Sequence, residues 1–165
     1  MVGHFIAGIA ALIWNPANDK YLLLRRAASK DFGAGSWECV TGRVDQGENF
    51  TQAIEREVHE EVGGAAKIEF FIGTTHFYRG APTPENELLG VVCGCTLADP
   101  DTIVMSGEHS EWRWLTAVEI TEFLPPHHWL QTVVARAEFL RAHLPGPLRA
   151  EFRRYGLEIE AIKRV

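Results

Sequence analysis

Residues 42–64, GRVDQGENFTQAIEREVHEEVGG, decide how this chain is read. Asn49 is a strong helix N-cap, and Gln52 stands three residues on, so a capping box opens a helix there. Ala53, Ile54, Val58 and Val62 follow at helical apolar spacing, and Gly63-Gly64 ends the run. The helix therefore packs by one face. Glu57, Glu60 and Glu61 fall at i, i+3 and i+4, close together on that helix, where like charges repel. Either water solvates them or a cation sits among them. A solvated acidic face is the ordinary outcome for E-x-x-E-E on a helix. Three neighbours argue for the cation. Arg56 can grip a carboxylate with paired hydrogen bonds, and Glu48 precedes it on the incoming loop. Gly42 and Gly47 let backbone approach closely and carbonyls turn inward. The apolar face makes the helix a rigid base for its acids.

Those residues carry a resemblance. Gly42, Glu48, Arg56, Glu57, Val58, Glu60, Glu61 and Gly63 match, in place, the box of the Nudix hydrolases: Gly, five residues, Glu, seven residues, Arg-Glu-apolar-x-Glu-Glu-x-Gly-apolar. The chain departs from the pattern at Gly64, its last apolar position. It departs again at Val40-Thr41-Gly42, where many relatives read Pro-Gly-Gly. Weaker likeness runs over residues 5–120, through L-L-L-R-R, Trp37 and W-R-W-L-T-A-V-E. The resemblance implies an α/β fold, an α/β/α sandwich with a mixed sheet between helices. Residues 1–145 would be the domain and 146–165 a polar tail whose packing is left open.

The resemblance also implies a chemistry, the hydrolysis of nucleoside diphosphate derivatives with a divalent metal, Mg²⁺ first and Mn²⁺ as a substitute. By motif position Glu57, Glu60 and Glu61 are the metal ligands. Thr41, beside the box, and Glu108, in the loop S-G-E-H-S-E, are further candidate metal contacts. Glu48 and Arg56 hold the carboxylates in place. The general base is a box glutamate or Glu108, with Glu111 the rival and Glu85 and Glu87 weaker candidates. Arg26 is placed to hold a phosphate. Trp37 and Tyr78, among the aromatics that also include Phe32 and Phe77, are candidates to stack on a base. His76 and His109 receive no role.

The rest of the chain bounds this reading. Its 165 residues fit one domain with a proper core. Apolar residues at 46% and charged residues at 23% are ordinary for a globular protein. No stretch approaches a membrane span, and the apolar start lacks the charged segment and cleavage site of a secretory signal. A cytoplasmic location is expected. A net charge of −6 with scattered basic residues argues against a nucleic-acid polymer as partner and for a small nucleotide. Cys39, Cys93 and Cys95 show no metal-site spacing and read as buried reduced thiols.

Strands are expected over 3–14, 20–26, 37–40, 67–79, 87–97 and 111–115, with a short helical start at T-A-V-E-I and a helix from 129 to 144. Trp112–Trp114 and the tail after Pro145 are candidate surfaces for a homodimer. Within the hydrolase reading, a nucleoside triphosphate or similar small nucleotide leads. Nucleotide sugars such as ADP-ribose, and dinucleoside polyphosphates, are the alternatives. A catalytically silent nucleotide sensor and an isoprenoid diphosphate isomerase are readings of other classes.

Overall fold

The computed structural model describes residues 3–30 and 32–159. In chain order the elements are β1 (Ile6–Asn15), β2 (Lys20–Arg26), β3 (Trp37–Glu38), β4 (Val40–Arg43), α1 (Phe50–Val62), β5 (Ala66–Tyr78), β6 (Glu87–Leu97), β7 (His109–Leu115), α2 (Ala117–Phe123), α3 (Trp129–His143) and α4 (Gly146–Tyr155). The sheet is mixed. β1 runs parallel to β6 and antiparallel to β4, and β5 closes one edge against β6. β1 also meets β2 at Trp14–Tyr21 and Asn15–Lys20, and β2 carries β3 and β7 on its two sides. Helices cover both faces, as expected for a sandwich.

Alternation along β1 divides the core. Ile9, Ala11 and Ile13 pack under Ala53, Ile54, Val58 and Val62 of α1. Ala10 and Leu12 face the other way, toward Ile120 of α2 and Leu130, Val134 and Ala137 of α3. Cys93 and Cys95, two apart on β6, share the α1 side and are fully buried, and all three cysteines are free thiols.

Three differences from the sequence reading matter most. The stretch 37–40 splits at Cys39, because Trp37–Glu38 pairs with β2 while Val40–Arg43 pairs with β1. β7 begins at His109, pulled into the sheet by its pairing with Arg26 across a register shift at Arg25–Arg26. The tail is helical from Gly146 to Tyr155, and Phe152 and Leu157 pack against the protein's own core. Thr116 and Glu119 form the capping box that opens α2.

Candidate active site

The acidic helix α1 is held at both ends by the residues that its sequence advertises. Asn49 accepts from the Gln52 amide at 2.8 Å, and Gln52 returns the bond to the Asn49 amide at 3.0 Å. Gly63 closes the helix in the left-handed region at φ 75°. A side chain at Gly64 would come within 2.9 Å of Leu97, so the departure from an apolar residue there follows from Leu97 filling that space.

Gly42 meets this helix directly. Any Cβ at Gly42 would overlap the Glu57 carboxyl group. The bare backbone is what lets that carboxylate lie against β4. Glu57 accepts from the Arg43 amide at 3.2 Å and from Arg56 at 2.9 Å. Arg56 grips Glu48 through two bonds, at 2.7 and 2.8 Å, and also donates to the Arg43 carbonyl at 2.9 Å. Its remaining reach is to Glu60 at 3.4 Å. The grip of Arg56 pulls the Glu48 carboxyl down to about 2. Glu57 is pushed up, because its burial outweighs the help of Arg56. Glu60 stands half-exposed beside them.

One helical turn away, Glu61 is 4% exposed, and its Oε2 is buried with no hydrogen-bond partner among the described residues. Burial first, then the nearby charges of Glu38, Glu57 and Glu108, push its carboxyl up to about 9. Around it stand Glu38 and His109, both buried. His109 Nε2 lies 3.0 Å from Glu38 and 3.8 Å from Glu61. Glu38 also accepts from Arg26 at 2.8 Å and from the Thr41 hydroxyl at 3.0 Å.

These donors suit a hard divalent cation. A desolvated carboxylate oxygen without a partner, beside other carboxylates on a rigid helix, is the arrangement that positive charge would complete. Among the described residues no three acidic, histidine or cysteine side chains converge as a finished cage. Mg²⁺ needs none, since it commonly takes one or two carboxylates and fills its shell with water and phosphate oxygens.

The profile of the NUDIX domain matches residues 4–137 of the chain. The chain belongs to the Nudix hydrolase family. Nudix relatives with assigned activities are distant. Dihydroneopterin triphosphate diphosphatase of Escherichia coli is 28% identical over 123 residues, which cover 66% of this chain and 77% of that protein. Isopentenyl-diphosphate Delta-isomerase 1 of Aromatoleum aromaticum is 30% identical over 144 residues, 81% of this chain and 78% of that one. The NAD-capped RNA hydrolase of Homo sapiens is 27% identical over 110 residues, and the match spans only 22% of its length. Among solved Nudix folds, the MutT protein of Methanosarcina mazei superposes with a TM-score of 0.69 at 23% identity, covering 86% of this chain and 98% of that one.

The site gathers some of the residues named from sequence and leaves others out. Glu48, Arg56, Glu57 and Glu60 form one connected group, and Glu108 lies near enough to Glu61 to act on its charge. Glu108 itself pairs with Lys30 at 2.5 Å, which holds its carboxyl below the usual range. Glu111 is occupied by Arg113 and Arg25, and Glu87 by His76. The guanidinium of Arg26, the candidate phosphate contact, is turned inward onto Glu38 and the Phe32 carbonyl. Phe123 meets Trp37 edge-on and Arg113 lies over its ring. Tyr78 turns toward His76, and it is Phe77 that stacks with Phe32, at 6.3 Å, with Arg79 over the Phe32 ring.

Glu38 and His109 were missed from sequence. Neither carried a local signal: the pairing of Glu38 with Leu24, a core residue of β2, is what turns it inward, and the burial of His109 depends on the β7 extension.

Proposed function

We propose that the chain is a Mg²⁺-dependent hydrolase that cleaves a pyrophosphate bond in a nucleoside diphosphate derivative, with a nucleoside triphosphate or similar small nucleotide as the leading substrate class. The observation that carries this reading is the buried, partnerless oxygen of Glu61 beside the Arg56-anchored carboxylates. Glu57, Glu60 and Glu61 would hold the cation, with Thr41 alongside. When bound, the cation neutralises phosphate charge and lowers the pKa of a coordinated water. Arg56 and Glu48 keep the carboxylates oriented. Glu108, half-exposed and paired with Lys30, would take the proton from the attacking water. Phe77, part-exposed beside Phe32, would offer a ring for the base, and Arg26 joins the Phe32 loop to the acidic cluster through the Phe32 carbonyl.

The E. coli relative, a dihydroneopterin triphosphate diphosphatase, supports a triphosphate substrate. The isomerase relative carries less weight, because Cys39, the thiol that such chemistry would recruit, is fully buried and pushed well above its usual range. A cytoplasmic site of action is consistent with three unpaired thiols. No helix among the described residues is long and apolar enough to cross a membrane.

Product chromatography over nucleoside triphosphates, nucleotide sugars and dinucleoside polyphosphates, with Mg²⁺ and with a chelator, tests the reading. Metal-dependent turnover of a triphosphate with release of pyrophosphate or phosphate supports it. Tight binding without turnover would instead identify a sensor. Within an active enzyme, Phe77→Ala should raise KM by roughly tenfold through lost stacking, leaving kcat nearly unchanged.

A further inference from the structure

The segment 145–159 lies beyond the residues matched by the NUDIX profile, yet it ends on the metal-binding helix. Glu158 accepts from the backbone amide of Phe50 at 2.7 Å and from that of Thr51 at 3.3 Å, and it takes the Thr51 hydroxyl as well. The Leu157 amide donates to the same hydroxyl at 2.9 Å. A helix leaves its first amides without partners. Here Glu158 supplies the first two, Asn49 supplies the Gln52 amide, and the Asn49 carbonyl takes the Ala53 amide. The opening of α1 is thus completed by a carboxylate more than a hundred residues away in sequence.

The segment is anchored at a second point. Arg153 of α4 holds Glu69 of β5, a buried carboxylate, through bonds of 2.9 and 2.6 Å. Thr96 donates to the same carboxylate at 2.9 Å. Between the anchors Gly156, at φ 69°, turns the chain against Thr51, where a Cβ would overlap the threonine side chain. Phe152 and Leu157 bury apolar surface on the way. Charge, turn and packing all deliver Glu158 to one place.

The position of α1 matters because the Glu57 carboxylate lies against Gly42 with no room for even a methyl group. A small shift of the helix would separate the carboxylates from β4. We propose that Glu158 is a positioning residue for the hydrolytic reaction, and that residues 145–159 act as a strap that sets where α1 begins and so where Glu57, Glu60 and Glu61 stand. The proposal rests on the reading that these three hold the divalent cation.

Glu158→Ala, Glu158→Gln and Thr51→Val test it in the full chain. The measurements are Mg²⁺ half-activation, kcat and KM well below each variant's melting temperature, with amide exchange of Phe50 and Thr51 in metal-free protein. Glu158→Ala should raise the half-activating Mg²⁺ concentration several-fold and lower kcat by about tenfold, with KM for nucleotide little changed. Exchange at the two amides should quicken. Glu158→Gln, which keeps an acceptor, should recover part of the loss, and Thr51→Val should give a smaller shift in the same direction. If Glu158→Ala does not fold, the other two decide. Folded variants with parental Mg²⁺ dependence and kcat would overturn the proposal, leaving a strap that serves stability alone. A parental chain without metal-dependent hydrolysis would instead overturn the functional reading, while the exchange data would still report on the strap.

Discussion

The two ends of the acidic turn of α1 carry the same chemical group in opposite circumstances. At one end Glu48 and Glu57 share Arg56, whose guanidinium is filled by two carboxylates and the Arg43 carbonyl. At the other end Glu61 sits among Glu38, Glu108 and a histidine, buried, with one oxygen unmatched. In the first group one guanidinium orients two carboxylates, though burial still pushes Glu57 up. In the second, Arg26 and Lys30 are engaged by Glu38 and Glu108, so among the described residues Glu61 has no cation of its own, and a buried carboxylate without one gives up its ionisation rather than its burial. The difference is one of anchorage: Arg56 is a scaffold that fixes geometry, and the Glu61 end is left incomplete, with an oxygen that has no partner.

Removing the incomplete group should have the largest effect. Replacing Glu60 and Glu61 together with Gln should abolish metal uptake, followed by calorimetry, and reduce hydrolysis by on the order of 10³-fold. A double variant that consumes nucleotide at the parental rate would sink the functional reading. Breaking the scaffold should cost less. Arg56→Lys keeps the charge but loses the planar fork, and should weaken Mg²⁺ activation by about ten- to a hundredfold without abolishing it.

Protonation sharpens the contrast further. In metal-free protein, Glu61 keeps a proton between its ordinary value of 4.5 and about 9, whereas the unfolded chain gives it up. The native state therefore binds more protons across that window, and stability falls as pH rises through it, by at most about 1.4 kcal/mol per pH unit. Thermal melts in chelator should show the decline, Glu61→Gln should flatten it, and Mg²⁺ should stabilise more at pH 8 than at pH 5. Glu48 has the opposite sign: its benefit is present in full above its ordinary value of 4.5 and is lost progressively as pH falls from there to about 2. The smallest effect belongs to Glu108→Gln, expected to lower turnover about tenfold at saturating Mg²⁺. Unchanged turnover would remove Glu108 from the mechanism.

Local rules made much of this legible. The capping box at Asn49, the apolar spacing and the Gly63 stop define α1 from neighbours within four residues, so the helix and its three carboxylates could be read directly. Short apolar runs bounded by turn residues likewise revealed β2 and β6 with their observed limits. What Arg26 and Trp37 touch could not be read, because a side chain's direction depends on what stands opposite, and Glu38 and Phe123 come from other elements of the fold. The tail's packing stays open in the sequence for the same reason: its polar composition conceals a helical segment whose partners, Glu69 and Thr51, lie far back in sequence.

By itself, then, the order of residues determined the acidic helix and the family, since each depends on spacing along one turn or one loop. Only the tertiary structure decided which carboxylate is desolvated and unmatched, which arginine is already engaged, and that Glu158 completes α1. Burial and long-range pairing are properties of surfaces brought together by the fold, and no local pattern encodes the partner that will arrive.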